Sequence, residues 1–424
     1  MQIKTLIKDP VRGARYAERY VNDGSPSGFS SLYTTSPQTS PFGLNPWFHL
    51  SRCQAPADWF RTYGSIPEWP ASDLSKDGAW LLLHPDMVDH KQLQHKEVQI
   101  IPGREHRVVP TASGRTVQYI RVQEPDYVKL HYDRILGRIY RGLPFPKAAS
   151  GVEISTLLVD GIDTGVLDER LAILPETGAR SLIIPGESDS YEWGMTWRSH
   201  RPYGKTACQI HFAIPGFSLF STDRFASYDR ELLIQIIQQT GASPVSYVME
   251  QVVVPALECY FSMVGNLGLQ PEWNAQNLLF GIDENLNVVS LITRDLKSVM
   301  RDFTIRKSLG LSTDFLVAPY QCIDDSQYDY AMIHSFMYDH KLGDYVLDPI
   351  LSLVSDTYGL DIRELREAAR DAADPLIRML PAGYFPDDGC WYMYKPILID
   401  QGRSTRPYLA VKAPKYRSVR QDPG

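Results

Sequence analysis

Two separated stretches of this 424-residue chain carry the residue types that phosphate and metal chemistry require. The first is Ser113-Gly114-Arg115-Thr116, with Lys129 and Arg141 after it. Two hydroxyls flanking a guanidinium suit phosphate oxygens, while Arg141 adds a planar fork and Lys129 a point charge. The second is PEWNAQNLLFGIDENLNVVSLITRDL, residues 271–296. There Glu272, Gln276 and Asn277 precede one apolar run, and Arg294 with Asp295 follows another. Mg²⁺ takes hard oxygen ligands, usually one or two side chains together with nucleotide phosphates. Protein kinases use an Asn and an Asp in this way. Asn277 and Asp295 stand at the open ends of one antiparallel hairpin, which makes them neighbours, and Glu272 or Gln276 would complete the shell.

Each stretch also has a plain structural reading. SGRT reads as a turn entering a strand, an arginine stripe as a solvated face, Asp295 as a helix cap and Asn277 as a turn residue. A third feature is His84-Pro85, which ends the apolar run WLLLH. A lone histidine is more often structural than catalytic. His334 and His340 lie in YDYAMIHSFMYDH without an evident carboxylate partner, so their spacing makes no metal site.

The elements that must position these residues follow from patterning. WLLLH (80–84) reads as a buried strand. TVQYIRV (116–122) and YVKLHY (127–132) read as two strands joined by QEPD. With Val122 opposite Tyr127, the Ser113–Thr116 end falls beside residues 133–136. Asp133 there caps an expected helix with apolar face Ile135, Leu136, Ile139 and Leu143 and basic face Arg134, Arg138 and Arg141. A helix N-terminus suits anions. Residues 154–225 alternate short strands with Gly and Pro.

Further on, Arg230–Gln239 reads as a helix ended by Gly241. Ser243 caps a long helix with Pro244 at its first position, a kink at Pro255 and a stop at Gly265. The hairpin runs Asn277–Ile282, a DENLN turn, then Val288–Thr293. Asp361 with Glu364 makes a capping box for a helix over 362–373. The first 22 residues read as a polar helix, 23–46 as a Ser/Thr/Pro-rich loop or lid, and the tail after Pro414 as disordered.

Composition sets bounds. Hydrophobic residues are 43% and charged residues 22%, ordinary for a globular protein. A net charge of -7 argues against wholesale nucleic-acid binding while allowing a local basic pocket. The five scattered cysteines show no CxxC, which fits reduced thiols. The start has no apolar core of a signal peptide, and no run reaches the ~18 apolar residues of a membrane span. A cytoplasmic protein without nucleic-acid or membrane partners is expected.

The order of these motifs resembles the nonribosomal-peptide-independent siderophore synthetases of the aerobactin-synthetase type. That family carries a His-Pro strand end, Ser-x-Arg-Thr, a downstream lysine and arginine, then Glu-x-His-Gly-Gln-Asn before apolar residues, and finally Arg-Asp. The matching segments here are HPDMVDH at 84–90, PTASGRT at 110–116, Lys129, Arg141, PEWNAQNLL at 271–279 and RDL at 294–296. The resemblance implies an α+β, cupped-hand fold in three parts. These are a shortened N-terminal region (1–78), a sheet-rich finger domain (79–225) and a mostly helical palm with a kinase-like Mg-ATP hairpin (226–424).

It also implies an ATP- and Mg²⁺-dependent ligase that joins a carboxylic acid to an amine or hydroxyl through an acyl-adenylate, in a family where homodimers are common. By resemblance, Ser113, Arg115, Thr116 and Lys129 contact ATP phosphates, together with Gln276, Asn277 and Arg294. Arg141 bridges phosphate and substrate carboxylate, and Glu272, Asn277 and Asp295 surround Mg²⁺. His84 is a candidate base. The chain departs from the family at Asn274, where the family has histidine, and at Ala275, where it has glycine. Asparagine carries no proton near neutral pH. A small-molecule kinase and a non-catalytic nucleotide- or metabolite-binding relative remain the alternative readings.

Overall fold

The computed structural model describes residues 1–23, 35–66, 79–120, 126–136, 139–186, 190–316, 321–394 and 408–419. Its largest feature is an eight-stranded sheet. In spatial order the strands are Phe60–Gly64, Glu176–Ile184, Tyr191–Arg198, Tyr127–Leu130, Thr116–Tyr119, Gln99–Pro110, Phe48–Ala55 and Ala79–Leu83. Every pairing in it is antiparallel. Trp80–Leu83, Val117, Val128, Trp193, Met195 and Trp197 form its core.

A second, four-stranded sheet holds the hairpin Leu278–Ile282 and Val288–Thr293, flanked by Phe212–Pro215 and by Leu171–Ile173, the last parallel. Helices of the second half enclose it in a separate, larger core.

The helix Phe145–Asp163 lies between these cores. Ala148 and Val152 pack with Ala179 of the large sheet, whereas Ile154, Leu158 and Ile162 belong to the helical core. A helix buried on opposite sides is apolar nearly all round, as this one is. Gly151 lets the Glu176 carboxylate lie against the helix: a Cβ there would stand 1.6 Å from it, so that side chain would have to shift.

The expected first segment is shared between the two halves. The helices Ile3–Lys8 and Pro10–Tyr20 bury Ile3, Leu6 and Ala17 in the helical core, while Phe48–Ala55 and Phe60–Gly64 join the large sheet. Of the expected loop or lid at 23–46, residues 24–34 lie outside the described residues, and the described residues 35–46 are turns and irregular chain without helix or strand.

Several local expectations hold. Gly241 closes the helix Leu232–Thr240 in the left-handed conformation, and Asp361 caps Ile362–Arg378 by accepting the Arg363 N–H. The hairpin lies within one residue of its expected bounds. Others need correction. No helix starts at Asp133: Tyr132–Leu136 and Ile139–Arg141 pair as a small hairpin, with Ile135 exposed. Pro144 holds Leu143 out of helical geometry, the Leu143 N–H donates to His131 Nδ1 at 3.1 Å, and the helix begins only at Phe145. Arg138 lies outside the described residues.

The long helix from Pro244 ends at Gly268, not Gly265. It contains a π-helical stretch, Val248–Val253, just before Pro255; such a bulge re-routes the hydrogen bonds that proline disrupts. The tail after Pro414 is ordered through the described Val419. Tyr416 and Arg417 are buried against Asp348 and Asp339. Among the described residues, no helix is long and apolar enough to cross a membrane.

Candidate functional site

The strand register builds one side of the site. Thr116 faces Lys129, and Lys129 faces Thr196. Arg198 lies two residues beyond Thr196 and faces Glu176. Directly opposed residues share a face, as do residues two apart, so Thr116, Lys129, Thr196, Arg198 and Glu176 form one row across four strands. This register differs from the sequence expectation. It brings Thr116 beside Lys129, not beside residues 133–136, so strand side chains replace the expected helix terminus.

The turn 111–116 is held by its own hydroxyls. Ser113 Oγ accepts the Thr116 N–H at 2.8 Å, and Thr111 Oγ1 donates to the Thr116 carbonyl at 2.7 Å. Gly114 has φ +73°, a conformation that favours glycine.

The other side is the mouth of the hairpin. Asn274 Oδ1 accepts the backbone N–H groups of Gln276 and Asn277 at 2.9 and 3.1 Å. Asn277 Nδ2 donates to the Glu272 carbonyl at 3.2 Å, and the Arg294 N–H donates to the Asn277 carbonyl at 3.0 Å. Leu278 pairs with Thr293, which sets Asn277 and Asp295 as neighbours at the open end. Asp295 adopts φ 64°, a left-handed conformation that Asp tolerates better than most residues.

The two sides meet in one narrow cleft, lined by Thr111, Ser113, Thr116, Lys129 and Arg198 and by Gln276, Asn277, Arg294 and Asp295. Across it, Lys129 forms an ion pair with Asp295, and Lys297 stands 3.7 Å from the same carboxylate oxygen. Burial alone would push the Asp295 carboxyl up. Lys129 and Lys297 outweigh it and hold the group well below the ordinary carboxylate range. Burial acts on the Lys129 ammonium in the lowering direction, with Asp295 opposing.

Arg115 is buried behind the lining and donates to the Arg141 carbonyl. Burial, then Arg141, push its guanidinium down to about 9, while Asp295 and Glu176 pull it up.

Four other expected site residues lie outside the lining. Glu272 pairs with Lys341 at 2.8 Å, and its carboxyl is lowered because Lys341 outweighs burial. Asn274 is committed to the turn. Arg141 is half-buried, its Nε donating to the Leu136 carbonyl at 3.3 Å. His84 is fully buried among Phe48, Tyr132 and Asp86, and burial pushes it down to about 4. That environment makes His84 a neutral core residue, and the structure does not bring it to the cleft as a base.

His334 does have a carboxylate partner, Asp302 at 3.0 Å, but both are buried with Gln270 and Tyr384 in a polar network inside the helical core. Among the described residues, no group of three or more His, Cys, Asp or Glu could hold a metal. Magnesium bound chiefly by phosphates needs fewer protein ligands, and the Asn277–Asp295 pair fits that donor set.

Sequence reasoning missed Thr111, Arg198, Glu176 and Glu18. Glu18, on the N-terminal helix, clamps Arg294 Nη1 at 3.0 and 3.1 Å. Arg294 Nε is fixed by the Gln276 carbonyl at 2.7 Å. Arg198 stacks over Tyr127, 4.5 Å from the ring centre. The resulting cleft has Arg115, Lys129, Arg198 and Arg294 against Glu18, Glu176 and Asp295, a balance that favours an anionic ligand.

Comparison with solved structures gives the architecture. The ATP-bound aerobactin synthetase IucA from a hypervirulent pathotype of Klebsiella pneumoniae superposes with a TM-score of 0.69 at 14% identity, over 98% of this chain and 80% of that one. The petrobactin biosynthesis protein AsbB from Bacillus anthracis str. Sterne superposes with a TM-score of 0.73 at 14% identity, over 95% and 75%. The fold is that of the siderophore synthetases. A third synthetase, IucC from the same Klebsiella pathotype, matches at a TM-score of 0.62 and 15% identity, over 80% of this chain and 64% of its own. No protein-family model and no curated protein matches this chain in sequence. The synthetase fold is therefore retained while most residues differ, and the cleft residues named above must carry the functional argument themselves.

Proposed function

We propose that the protein is an ATP-dependent ligase that joins a carboxylic acid to an amine or hydroxyl through an acyl-adenylate, in siderophore or related small-molecule biosynthesis. One observation carries the reading: the Thr116–Lys129 row and the Asn277–Asp295 pair, far apart in sequence, line one cleft with excess positive charge.

On this reading the cleft takes the ATP triphosphate. A carboxylate oxygen of the acid attacks the α-phosphorus, the bond to the β-phosphate oxygen breaks, and pyrophosphate leaves. The amine nitrogen or hydroxyl oxygen then attacks the acyl carbon, AMP leaves, and the nucleophile loses one proton to solvent. Both partners of the first step are anions, so their approach is the obstacle. Lys129 and Arg115 lower it by screening that repulsion and stabilising the charge on departing pyrophosphate. Ser113 and Thr116 supply hydroxyl donors, with Gln276 and Arg294 on the opposite lip. Preorganised donors of this kind are worth about 3–4 kcal/mol each. Asn277 and Asp295 would hold Mg²⁺, which when bound neutralises phosphate charge. Arg141, beside Arg115, would orient the acid. Glu272 is held by Lys341 and would support the metal side through position, not as a free ligand.

A screen of di-, tri- and amino-carboxylic acids with hydroxylamine as trap tests this. The reading predicts hydroxamate and pyrophosphate with at least one acid. Production of ADP would select the kinase alternative. The engagement of Asn274 in the turn favours the remaining alternative, a nucleotide-binding relative without turnover, for which ATP binds but no acid releases pyrophosphate.

A further inference from the structure

The geometry points to a second oxyanion seat in the cleft, formed by Arg198 of the large sheet and Arg294 of the hairpin and closed by the N-terminal helix. Both side chains line the cleft and are more than nine-tenths buried. Each has a buried guanidinium nitrogen without a hydrogen-bond partner, Nε of Arg198 and Nη2 of Arg294. A buried, charged N–H left without an acceptor is costly, so such groups mark where a ligand completes the bonding.

The charge balance supports this. Arg15, Arg198 and Arg294 surround the half-buried Tyr127 hydroxyl together with Glu18, and Glu176 faces Arg198 across the strand pair, so three guanidinium groups stand against two carboxylates. Glu18 is itself engaged on Arg294 Nη1, so it does not satisfy Nη2. Arg15 is tied by Nε to Gln118 Oε1 at 2.6 Å. Tyr127 lies flat beneath Arg198 and Glu18 grips Arg294, so both forks are oriented in advance, which reduces the entropy lost on binding.

The ligand chemistry is an oxyanion with two or more oxygens to offer: the distal phosphates of a nucleotide, or a carboxylate of the acid substrate. Arg198 and the N-terminal helix are thereby given roles in ligand binding. The inference rests on the ligase reading for its choice of ligands, but binding without turnover can test it separately.

The experiment is calorimetric titration of the full chain with inorganic pyrophosphate, citrate and AMP. Arg198→Met, Arg198→Lys and Arg294→Met are compared with a control at an exposed helix start, Arg363→Met. Thermal melting and circular dichroism confirm that each is folded. A phosphate source predicts that Arg198→Met and Arg294→Met weaken pyrophosphate binding by about tenfold or more, with AMP and citrate unchanged. A carboxylate source predicts the same loss for citrate, with pyrophosphate unchanged. Arg198→Lys, which keeps charge but loses the fork, falls between wild type and Arg198→Met. Unchanged binding of both probes by the folded Arg198→Met variant overturns the seat, as does an equal loss in Arg363→Met or a wild-type protein that binds neither probe. If wild type binds pyrophosphate through Arg198 yet no acid yields hydroxamate, the seat stands and the ligase reading falls.

Discussion

Lys129 and Asp295, 166 positions apart in sequence, form an ion pair across the cleft between the large sheet and the hairpin. Lys129 reaches this point because the strand register places it beside Thr116. Asp295 does so because the hairpin returns it to Asn277. The pair joins the phosphate-binding and metal-binding halves that the sequence suggests separately.

Arg141 stands beside the buried Arg115, behind that pair. Arg141→Ala should leave thermal stability within a few tenths of a kcal/mol, as for a side chain without core packing. It should cut acid-dependent pyrophosphate release by about 10²-fold or more, the loss expected for a charge-stabilising donor. Near-normal pyrophosphate release by the variant would remove Arg141 from the mechanism.

Asn274 should act through the turn. Its Oδ1 accepts two backbone N–H groups. Asn274→Ala should destabilise the protein by about 1–2 kcal/mol, as loss of a helix or turn cap does. Asn274→Asp keeps the accepting oxygen and should lose less than Asn274→Ala. Denaturant titration of the three proteins checks this, and an Ala variant as stable as wild type would contradict it.

The hairpin was legible because DENLN breaks two apolar runs at a length that fits one turn, and the Asn277–Asp295 proximity followed from antiparallel pairing alone. The expected helix after Asp133 fails for an equally local reason. Ile135, Leu136, Ile139 and Leu143 satisfy a helical period, yet the same positions fit two short strands, and Pro144 decides between them. Arg198 and Glu18 carried no local signal. One enters through the third strand along the row, the other through an N-terminal helix packed on the strand Phe212–Pro215, and only tertiary packing brings either to the cleft.

His84 gives a pH dependence. Its folded pKa, pushed down to about 4 by burial, lies below the ordinary histidine value, so the unfolded chain takes up a proton that the native protein does not. Stability from this group is intact near pH 7 and is lost as pH falls from about 6.5 toward 4, by about 3 kcal/mol. His84→Gln should flatten that part of the stability–pH curve measured by chemical denaturation. An unchanged slope would show that His84 is not the neutral buried group described.

Arg417 gives a test of the ordered tail. Its Nε donates to Asp339 Oδ2 at 2.9 Å, and both side chains are almost wholly buried. Burial raises the Asp339 carboxyl despite Arg417. Arg417→Met strands that carboxylate and should cost about 3–5 kcal/mol near neutral pH. The loss should shrink as pH is lowered, because burial already raises this carboxyl and its protonation relieves the stranded charge, and shrink again with Asp339→Asn added. A tail that can be altered at Arg417 without loss of stability would contradict its docking.

The convergence of the two halves on one triphosphate is tested most directly by a double-mutant cycle on Mg-ATP binding, measured by calorimetry for wild type, Lys129→Met, Asp295→Asn and the double variant. Each single variant should bind Mg-ATP at least about tenfold more weakly, a loss typical of removing one charge-assisted contact. The double variant should lose much less than the product of the two, because both side chains serve one ligand and each other. Wild-type affinity in either single variant, or losses that simply multiply, would contradict a shared site.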